Sequence, residues 1–212
     1  MRVLVTRPSA QADPLVAALV ERGFDVVVEP LIRVEPVSDD PIDVIGYGWV
    51  IVTSPNGARE LARRVKGQPE QIAAIGPGTA AALADAGLTP TLEAAVHTQE
   101  GLAAELAGKP GRRLFVGAEG ARNLLDADFL AAYRTVELDV DRLPATDLAL
   151  LLSPSAARAY ARAGGRAPAI SIGPQTTAAA RAAGIELAGE AESHDLQGLV
   201  DCAAAWRDSS RS

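Results

Sequence analysis

The chain has 212 residues, a length that allows one large domain or two small ones. Hydrophobic residues make up 48% of it and charged residues 22%, which is ordinary globular usage and predicts a buried core. The formal net charge of −7, without a run of Lys or Arg, argues against nucleic acid as a partner, and the single cysteine excludes an intrachain disulfide and a thiolate metal cluster.

Short apolar runs alternate with amphipathic, alanine-rich segments from the N-terminus onward. Strands are predicted, in chain order, at 2–6, 24–28, 49–53, 72–75, 113–116, 148–152 and 169–172. Helices are predicted at 10–22, 55–65 and 78–86, and a helical stretch is expected after each of the last three strands. This alternation is typical of an α/β protein whose parallel sheets are covered by helices on both faces.

No part of the sequence has the character of an export signal or a membrane span. The N-terminal segment MRVLVTRPSAQADP lacks the apolar stretch of a signal peptide, and no segment approaches the roughly 20 apolar residues that a membrane helix needs. We therefore expect a cytoplasmic protein without a membrane partner.

An internal repeat is the strongest organisational signal. VIVTSPNGAR at 50–59 resembles ALLLSPSAAR at 149–158, and AAIGPGTAAALADAGL at 73–88 resembles AISIGPQTTAAARAAGI at 169–185. The second pair is offset by 97 residues, and the same offset aligns His97 with His194. Such self-similarity indicates two copies of one supersecondary unit.

A fainter similarity between 2–33 and 113–142 gives the chain the order a, b, a′, b′. Either each a segment joins the b segment that follows it, or the chain crosses over so that a joins b′ and b joins a′. The residues alone do not choose between these pairings. The Pro-bounded segments 30–36 and 138–144 are the candidate hinge linkers.

Two serine–proline turns, at 53–57 and 153–155, each follow a strand and open a helix. Ser54 and Ser153 are good N-caps, and the proline that follows each suits the first helical position, where no donor is needed. Either the turns only cap their helices, or their N-termini bind an anionic ligand at the carboxyl edge of a parallel sheet. The presence of one turn in each copy favours a ligand.

Gly76-Pro77-Gly78-Thr79 and Gly173-Pro174-Gln175-Thr176 are a second repeated pair of turns. Residues 76–81 match a G-x-G-x-x-A dinucleotide pattern. We disfavour a nucleotide, because Gln175 replaces the middle glycine in the second copy and Pro77 removes an amide. Thr79 and Thr176 are early helix residues whose hydroxyls are candidates to face a ligand.

Arg7 and Arg122 each follow a predicted strand, where an arginine either binds a carboxylate or is a solvated surface residue. His97 and His194 precede predicted helix starts at Thr98 and Asp195 and are interpreted as structural, because two histidines without a cysteine or carboxylate cluster make a poor metal site. We expect no metal. The motifs of serine hydrolases, zinc proteases and P-loop enzymes do not occur.

With these residues in view, the chain resembles the uroporphyrinogen-III synthase family over nearly its whole length. Seven segments carry the resemblance, in order: Val5-Thr6-Arg7-Pro8, Thr53-Ser54-Pro55-Asn56-Gly57, Ala74-Ile75-Gly76-Pro77-Gly78-Thr79, Tyr133-Arg134-Thr135, Ser153-Pro154-Ser155, Ser171-Ile172-Gly173-Pro174-Gln175-Thr176 and His194-Asp195-Leu196-x-Gly198-Leu199. The stretch 117–132 looks shorter than the family usually has.

The resemblance implies the crossed pairing. It implies one discontinuous α/β domain of residues 1–33 plus 148–212 and an inserted α/β domain of residues 37–142, with hinge linkers at about 33–37 and 138–148. The two similar domains would have parallel, flavodoxin-like sheets flanked by helices, would be joined by two hinge strands, and would hold the ligand in a cleft between them.

The resemblance also implies a cofactor-independent lyase of haem biosynthesis. Its substrate would be hydroxymethylbilane (preuroporphyrinogen), a linear tetrapyrrole with eight carboxylates, which closes to uroporphyrinogen III with loss of water and inversion of ring D. Without enzyme the flexible chain closes with ring D uninverted, so the main task of the protein would be conformational. Tyr133 is the candidate general acid.

An acidic chain that binds a polycarboxylate needs local compensation for its charge. We expect the carboxylates to be bound by Arg7 and by backbone amides at the helix starts. The expected substrate-binding residues are Arg7, Ser54, Asn56, Gly78, Thr79, Arg122, Ser153, Ser155, Gln175 and Thr176.

Two other functions are considered beside this one. A non-enzymatic, two-lobed ligand-binding or sensor protein would use the same fold, and a nucleotide-dependent enzyme would use residues 76–81. For the synthase we expect a monomer whose partner is a small molecule, with at most a transient contact to the preceding enzyme of the pathway.

Overall fold

A computed structural model describes residues 1–8 and 12–210 of the chain. In this part of the chain the strands are β1 (Arg2–Val5), β2 (Asp25–Val28), β3 (Ile32–Pro36), β4 (Ile42–Asp43), β5 (Trp49–Val52), β6 (Val65–Lys66), β7 (Ile72–Ala74), β8 (Leu92–Glu93), β9 (Arg113–Ala118), β10 (Asp128–Glu137), β11 (Leu148–Leu151), β12 (Ala169–Ser171) and β13 (Leu187–Glu190). The helices are α1 (Asp13–Glu21), α2 (Pro55–Arg64), α3 (Pro77–Asp85), α4 (Gln99–Leu106), α5 (Pro154–Arg162), α6 (Pro174–Ala182) and α7 (Leu196–Ser209).

The chain divides into two compact units. The first unit contains Met1–Arg33 and Val136–Ser212, and the second contains Val34–Thr135. The boundaries fall within β3 and β10. Beyond the second boundary, Leu138 donates its N–H to the Leu31 carbonyl at 2.9 Å, and both Val140 and Leu143 pack on the core of the first unit.

The first unit is a five-stranded sheet with the order β2-β1-β11-β12-β13, and every neighbouring pair is parallel. Numbered along the unit, this is the 2-1-3-4-5 order of flavodoxin-like folds. Leu15 and Leu19 of α1 pack with Leu199 of α7 on one face. Helices α5 and α6 cover the other face, where Tyr160 is buried. The strands are apolar on both sides because both of their faces are covered.

The second unit repeats this arrangement around the order β3-β10-β9-β5-β7-β8. The pairs from β10 to β8 are parallel, and β4 and β6 form a separate parallel pair. Leu61 of α2 and Leu83 of α3 pack on one face, and Leu102 and Leu106 of α4 pack on the other. The predicted α/β class, with parallel sheets flanked by helices, is confirmed.

The predicted helix after the strand at 113–116 is wrong. β9 extends to Ala118 and β10 begins at Asp128, so only nine residues, 119–127, connect two adjacent parallel strands. A parallel crossover that contains a helix needs about a dozen residues or more. The connection instead has Gly120 at φ 73° and Asp126 at φ 47°, and its Leu125 fills the core beside α4.

The other predicted strands and helices agree with the structure to within a few residues. Of the first predicted helix, 10–22, residues 10 and 11 lie outside the described residues, and α1 begins at Asp13. The predicted starts at Thr98 and Asp195 are confirmed, since each side chain accepts the N–H of the residue three positions later. No helix in the described ranges has the length and apolar character to cross a membrane.

Candidate active site

The two serine–proline turns are N-caps at the carboxyl ends of β5 and β11. Ser54 Oγ accepts the Gly57 N–H at 3.0 Å, and Ser153 Oγ accepts the Ala156 N–H at 3.1 Å. The prolines at the first helical position carry no N–H. The first amides of a helix have no carbonyl partner within it, and in α5 the first of these is the amide of Ser155.

Besides the Gly57 N–H, Ser54 contacts the phenol of Tyr133, which belongs to the same unit. Ser54 Oγ and Tyr133 Oη lie 2.8 Å apart, and either hydroxyl is able to donate. Tyr133 is only 7% exposed and belongs to the core of this unit. Two predicted site residues that are distant in the sequence therefore meet at one point.

Burial raises the pKa of the Tyr133 phenol, and the hydrogen bond with Ser54 opposes this shift. The phenol is protonated at neutral pH, as an unshifted tyrosine also is, and its raised pKa makes it a weaker acid than a solvent-exposed tyrosine. This protonation state is the one that a general acid needs.

The two glycine–proline turns follow β7 and β12. The side chains of Thr79 and Thr176 are buried, each 3% exposed, whereas Gly78 and Gln175 are exposed. Thr79 donates its N–H to the Gly76 carbonyl at 3.1 Å. The amides at the second helical position, those of Gly78 and Gln175, have no partner within their helices.

Each of the repeated histidines packs on a glycine of these turns. A methyl group placed on Gly76 would lie 2.9 Å from His97 Cγ, and one placed on Gly173 would lie 3.2 Å from His194 Cγ. The first distance is too short for a side chain. This packing agrees with the structural role predicted for both histidines and explains why the two motifs recur together.

The arginines predicted to bind substrate lie near the carboxyl ends of strands. Arg7 follows β1 and is half-buried. Arg122 lies in the 119–127 connection, where its Nη2 is 3.2 Å from Glu100 Oε1 at the start of α4. Because both members of this pair are exposed, the pair itself adds little stability.

Sequence reasoning missed two further arginines beside these turns. Arg59 donates to Asn56 Oδ1 at 3.0 Å, and Arg158 donates to Ser155 Oγ at 3.2 Å. Both guanidinium groups thus lie along the first turn of their helices. They occupy the same position in the repeated segments 50–59 and 149–158, and this coincidence was the available signal.

The predicted site residues fall into two sets, one in each unit. Apart from Tyr133, which lies within β10, the residues of each set follow the carboxyl ends of strands of their own sheet, as is typical of ligand sites in parallel α/β proteins. The set of the first unit is Arg7, Ser153, Ser155, Gln175 and Thr176; that of the second is Ser54, Asn56, Gly78, Thr79, Arg122 and Tyr133. Across the described ranges 1–8 and 12–210, no three His, Cys, Asp or Glu side chains are grouped to hold a metal ion.

Comparison with known protein families shows to which family the chain belongs. The model of the family described as uroporphyrinogen-III synthase HemD matches residues 13–201. The chain belongs to the uroporphyrinogen-III synthase family. The predicted family resemblance is therefore confirmed.

Two named relatives of the family match part of the chain. A protein of Methanocaldococcus jannaschii assigned as a uroporphyrinogen-III synthase is 26% identical over 151 residues, which are 65% of this chain and 63% of that protein. The porphyrin biosynthesis protein HemD of Ruminiclostridium josui is 29% identical over 162 residues, 68% of this chain and 31% of that protein. The chain thus matches less than two thirds of the length of either relative.

A solved structure has the same fold. A crystal structure of a mutant uroporphyrinogen III synthase from the extremely thermophilic bacterium Thermus thermophilus aligns with a TM-score of 0.59 at 16% identity, over 99% of both chains. At this level of identity, the likeness shows the shared fold of the family.

Proposed function

We propose that this chain is a uroporphyrinogen-III synthase, a lyase that closes hydroxymethylbilane to uroporphyrinogen III with loss of water and inversion of ring D. The observation that carries this proposal is the match of the family model to residues 13–201. We also propose that the two compact units are the two domains of this enzyme, with the crossed pairing of the repeated segments.

The proposed reaction has few chemical steps. The hydroxyl of the bilane leaves as water, which gives an azafulvene. The terminal pyrrole then attacks through its substituted carbon and forms a spiro intermediate, which breaks and recloses with ring D inverted. The attack at that carbon needs one particular approach of the chain ends, so holding the substrate in that conformation is the main catalytic contribution.

Tyr133 is the proposed proton donor for the departing hydroxyl. A tyrosine phenol is protonated at neutral pH, and the contact with Ser54 Oγ at 2.8 Å fixes the position of this hydroxyl. A positioned acid typically contributes about 10²-fold or more to a rate. Because the bilane also cyclises unaided, we assign Tyr133 a smaller share of about 30-fold, below that typical range.

The carboxylates of the substrate are proposed to bind at the helix starts of both units. The amides of Gly78, Ser155 and Gln175 are donors at the positive ends of helix dipoles. Arg59 and Arg158 add formal charge beside two of these turns. Arg158 shares Glu137 with Arg162, so that group of three side chains keeps one net positive charge. Local positive potential thus offsets the net charge of −7.

The test of the function is the isomer that the purified protein makes. Fresh hydroxymethylbilane is mixed with the protein, and the uroporphyrinogens are oxidised and separated by chromatography. We expect the purified protein to make the III isomer in an amount proportional to protein concentration. In a control with heat-denatured protein we expect the I isomer. Formation of the I isomer alone, at the uncatalysed rate, would contradict the proposal.

A further inference from the structure

Arg64, in the last turn of α2, is a buried cation whose contacts are mostly backbone carbonyls. The residue is 7% exposed. Its Nη1 donates to the Ser38 carbonyl at 2.7 Å and the Asp40 carbonyl at 3.3 Å, and its Nη2 donates to the Ala132 carbonyl at 3.2 Å. Glu60 Oε2 lies 3.3 Å from Nε, although without hydrogen-bond geometry. Arg64 therefore ties α2 to two other segments of the second unit.

One of these carbonyls belongs to the residue directly before Tyr133. The pairing of β10 with β9 is irregular between Ala131 and Tyr133, so the peptide at Ala132 is where the strand departs from regular register. The Ala132 carbonyl accepts both Arg64 Nη2 and the Val37 N–H, the latter at 3.1 Å. Irregularities of this kind redirect a side chain, and here Arg64 helps to fix the irregular peptide.

The other end of the same helix carries the partner of the phenol. Ser54 caps α2 and lies 2.8 Å from Tyr133 Oη. Arg64 thus joins the helix that carries Ser54 to the strand segment that carries Tyr133. The link between Arg64 and the phenol is therefore one of position, through the Ala132 carbonyl and the Ser54 hydroxyl.

The first unit has the same strand order without an arginine at this position, so the fold of such a unit does not require one. The serine–proline helix of the first unit, α5, also packs on the sheet of its own unit, but its residue at the matching position is Ala163. The neighbouring Arg162 is exposed and paired with Glu137. Of the two matching helix ends, the one with a buried arginine that binds carbonyls therefore lies in the unit that contains Tyr133.

We propose that Arg64 is a positioning residue for Tyr133, which it holds against Ser54 by fixing the Ala132 peptide; this inference rests on the proposed function. Arg64 does not touch substrate in this proposal. Its loss is expected to lower kcat through the phenol and to leave KM nearly unchanged, because the carboxylate-binding turns are unaltered.

A double-mutant cycle tests this role. In the wild-type background, Arg64→Met is expected to lower kcat about tenfold, with KM changed less than about twofold. In the Tyr133→Phe background, the same change is expected to lower kcat by less than about twofold, because the group that Arg64 positions is already absent. Equal losses in both backgrounds would overturn the proposal and leave Arg64 a purely structural residue.

Arg63→Met is the matched control, since Arg63 is the exposed neighbour on the same helix and pairs with Asp39 and Glu60. It is expected to retain wild-type kcat. If Arg64→Met does not fold, Arg64→Lys, which keeps the charge and loses the forked donor, takes its place in the cycle.

A second readout does not depend on turnover. The chain has three tyrosines, so the ¹³Cζ resonance of Tyr133 can be followed by NMR in protein labelled at tyrosine. In Arg64→Lys we expect this resonance to shift or broaden, while those of Tyr47 and Tyr160 stay in place. An unchanged Tyr133 resonance would overturn the positioning role. Failure of the wild-type protein to make the III isomer would instead overturn the proposed function.

Discussion

Arg59 and Arg158 occupy the same position of the repeated segments, and each contacts a residue in the first turn of its own helix. Each guanidinium lies beside the second residue of its helix, at 3.0 Å from Asn56 Oδ1 and 3.2 Å from Ser155 Oγ. Arg59 is exposed, so a bound carboxylate could reach it without repacking the core. Charge-assisted hydrogen bonds of this kind are worth more than neutral ones.

We predict that Arg59→Gln raises KM for hydroxymethylbilane about fivefold, with kcat nearly unchanged, because a contact made equally in the ground and transition states affects binding alone. Steady-state kinetics at constant ionic strength measure both constants. Arg63→Gln on the same helix is the control and should leave KM unchanged. A fall in kcat with constant KM for Arg59→Gln would contradict a role in binding.

Local sequence predicts some site residues better than others. The caps at Ser54 and Ser153 follow from a serine–proline pair after an apolar run, and both are confirmed. The contact of Ser54 with Tyr133 joins positions 79 residues apart and depends on how β10 packs, which no local pattern contains. The burial of Arg64 likewise depends on carbonyls from distant segments, so the sequence presents it as an ordinary charged helix residue.

The start of α4 depends on a glycine in a way that the start of α3 does not. A methyl group on Gly101 would lie 2.4 Å from the Val96 carbonyl oxygen, a backbone atom that cannot move away alone. A methyl group on Gly78, also within the first turn of its helix, would meet nothing within 4 Å. The same substitution therefore has opposite consequences at two helix starts of one unit.

We predict that Gly101→Ala lowers the free energy of unfolding by about 2 kcal/mol or more, because the backbone around Val96 must shift. Gly78→Ala is expected to change it by less than about 1 kcal/mol, and to raise it if anything, since alanine is the better helix former. Urea denaturation followed by circular dichroism measures both variants. Equal stability of the two would contradict the close approach at Gly101.

The sequence predicts best those strands and helices that have a regular apolar pattern and a capping serine or a proline at their boundary. The strand–turn–helix segments at 49–64 and 148–162 carry an apolar strand, a capping serine and a proline in succession. The connection 119–127 carries alanine and leucine and resembles a helix in composition, but its length is too short for a helical crossover. Length, rather than composition, decides that part of the fold.

At the scale of the molecule, the repeat accounts for the two units and for their common strand order. β2-β1-β11-β12-β13 in the first unit corresponds to β10-β9-β5-β7-β8 in the second. The residues did not reveal which segments share a sheet, because pairing of β1 with β11 spans more than 140 residues. In the structure β1 lies between β2 and β11.

We propose that binding geometry, and not a single catalytic group, directs the ring closure. The most direct measurement is the isomer ratio made by Tyr133→Phe, extrapolated to saturating protein so that uncatalysed closure is suppressed. We predict turnover about 30-fold slower than wild type, with uroporphyrinogen III still the main product, because the carboxylate contacts that hold the chain ends remain. If Tyr133→Phe made mainly the I isomer at saturating protein, the phenol itself would direct the ring closure, and the proposal would be wrong.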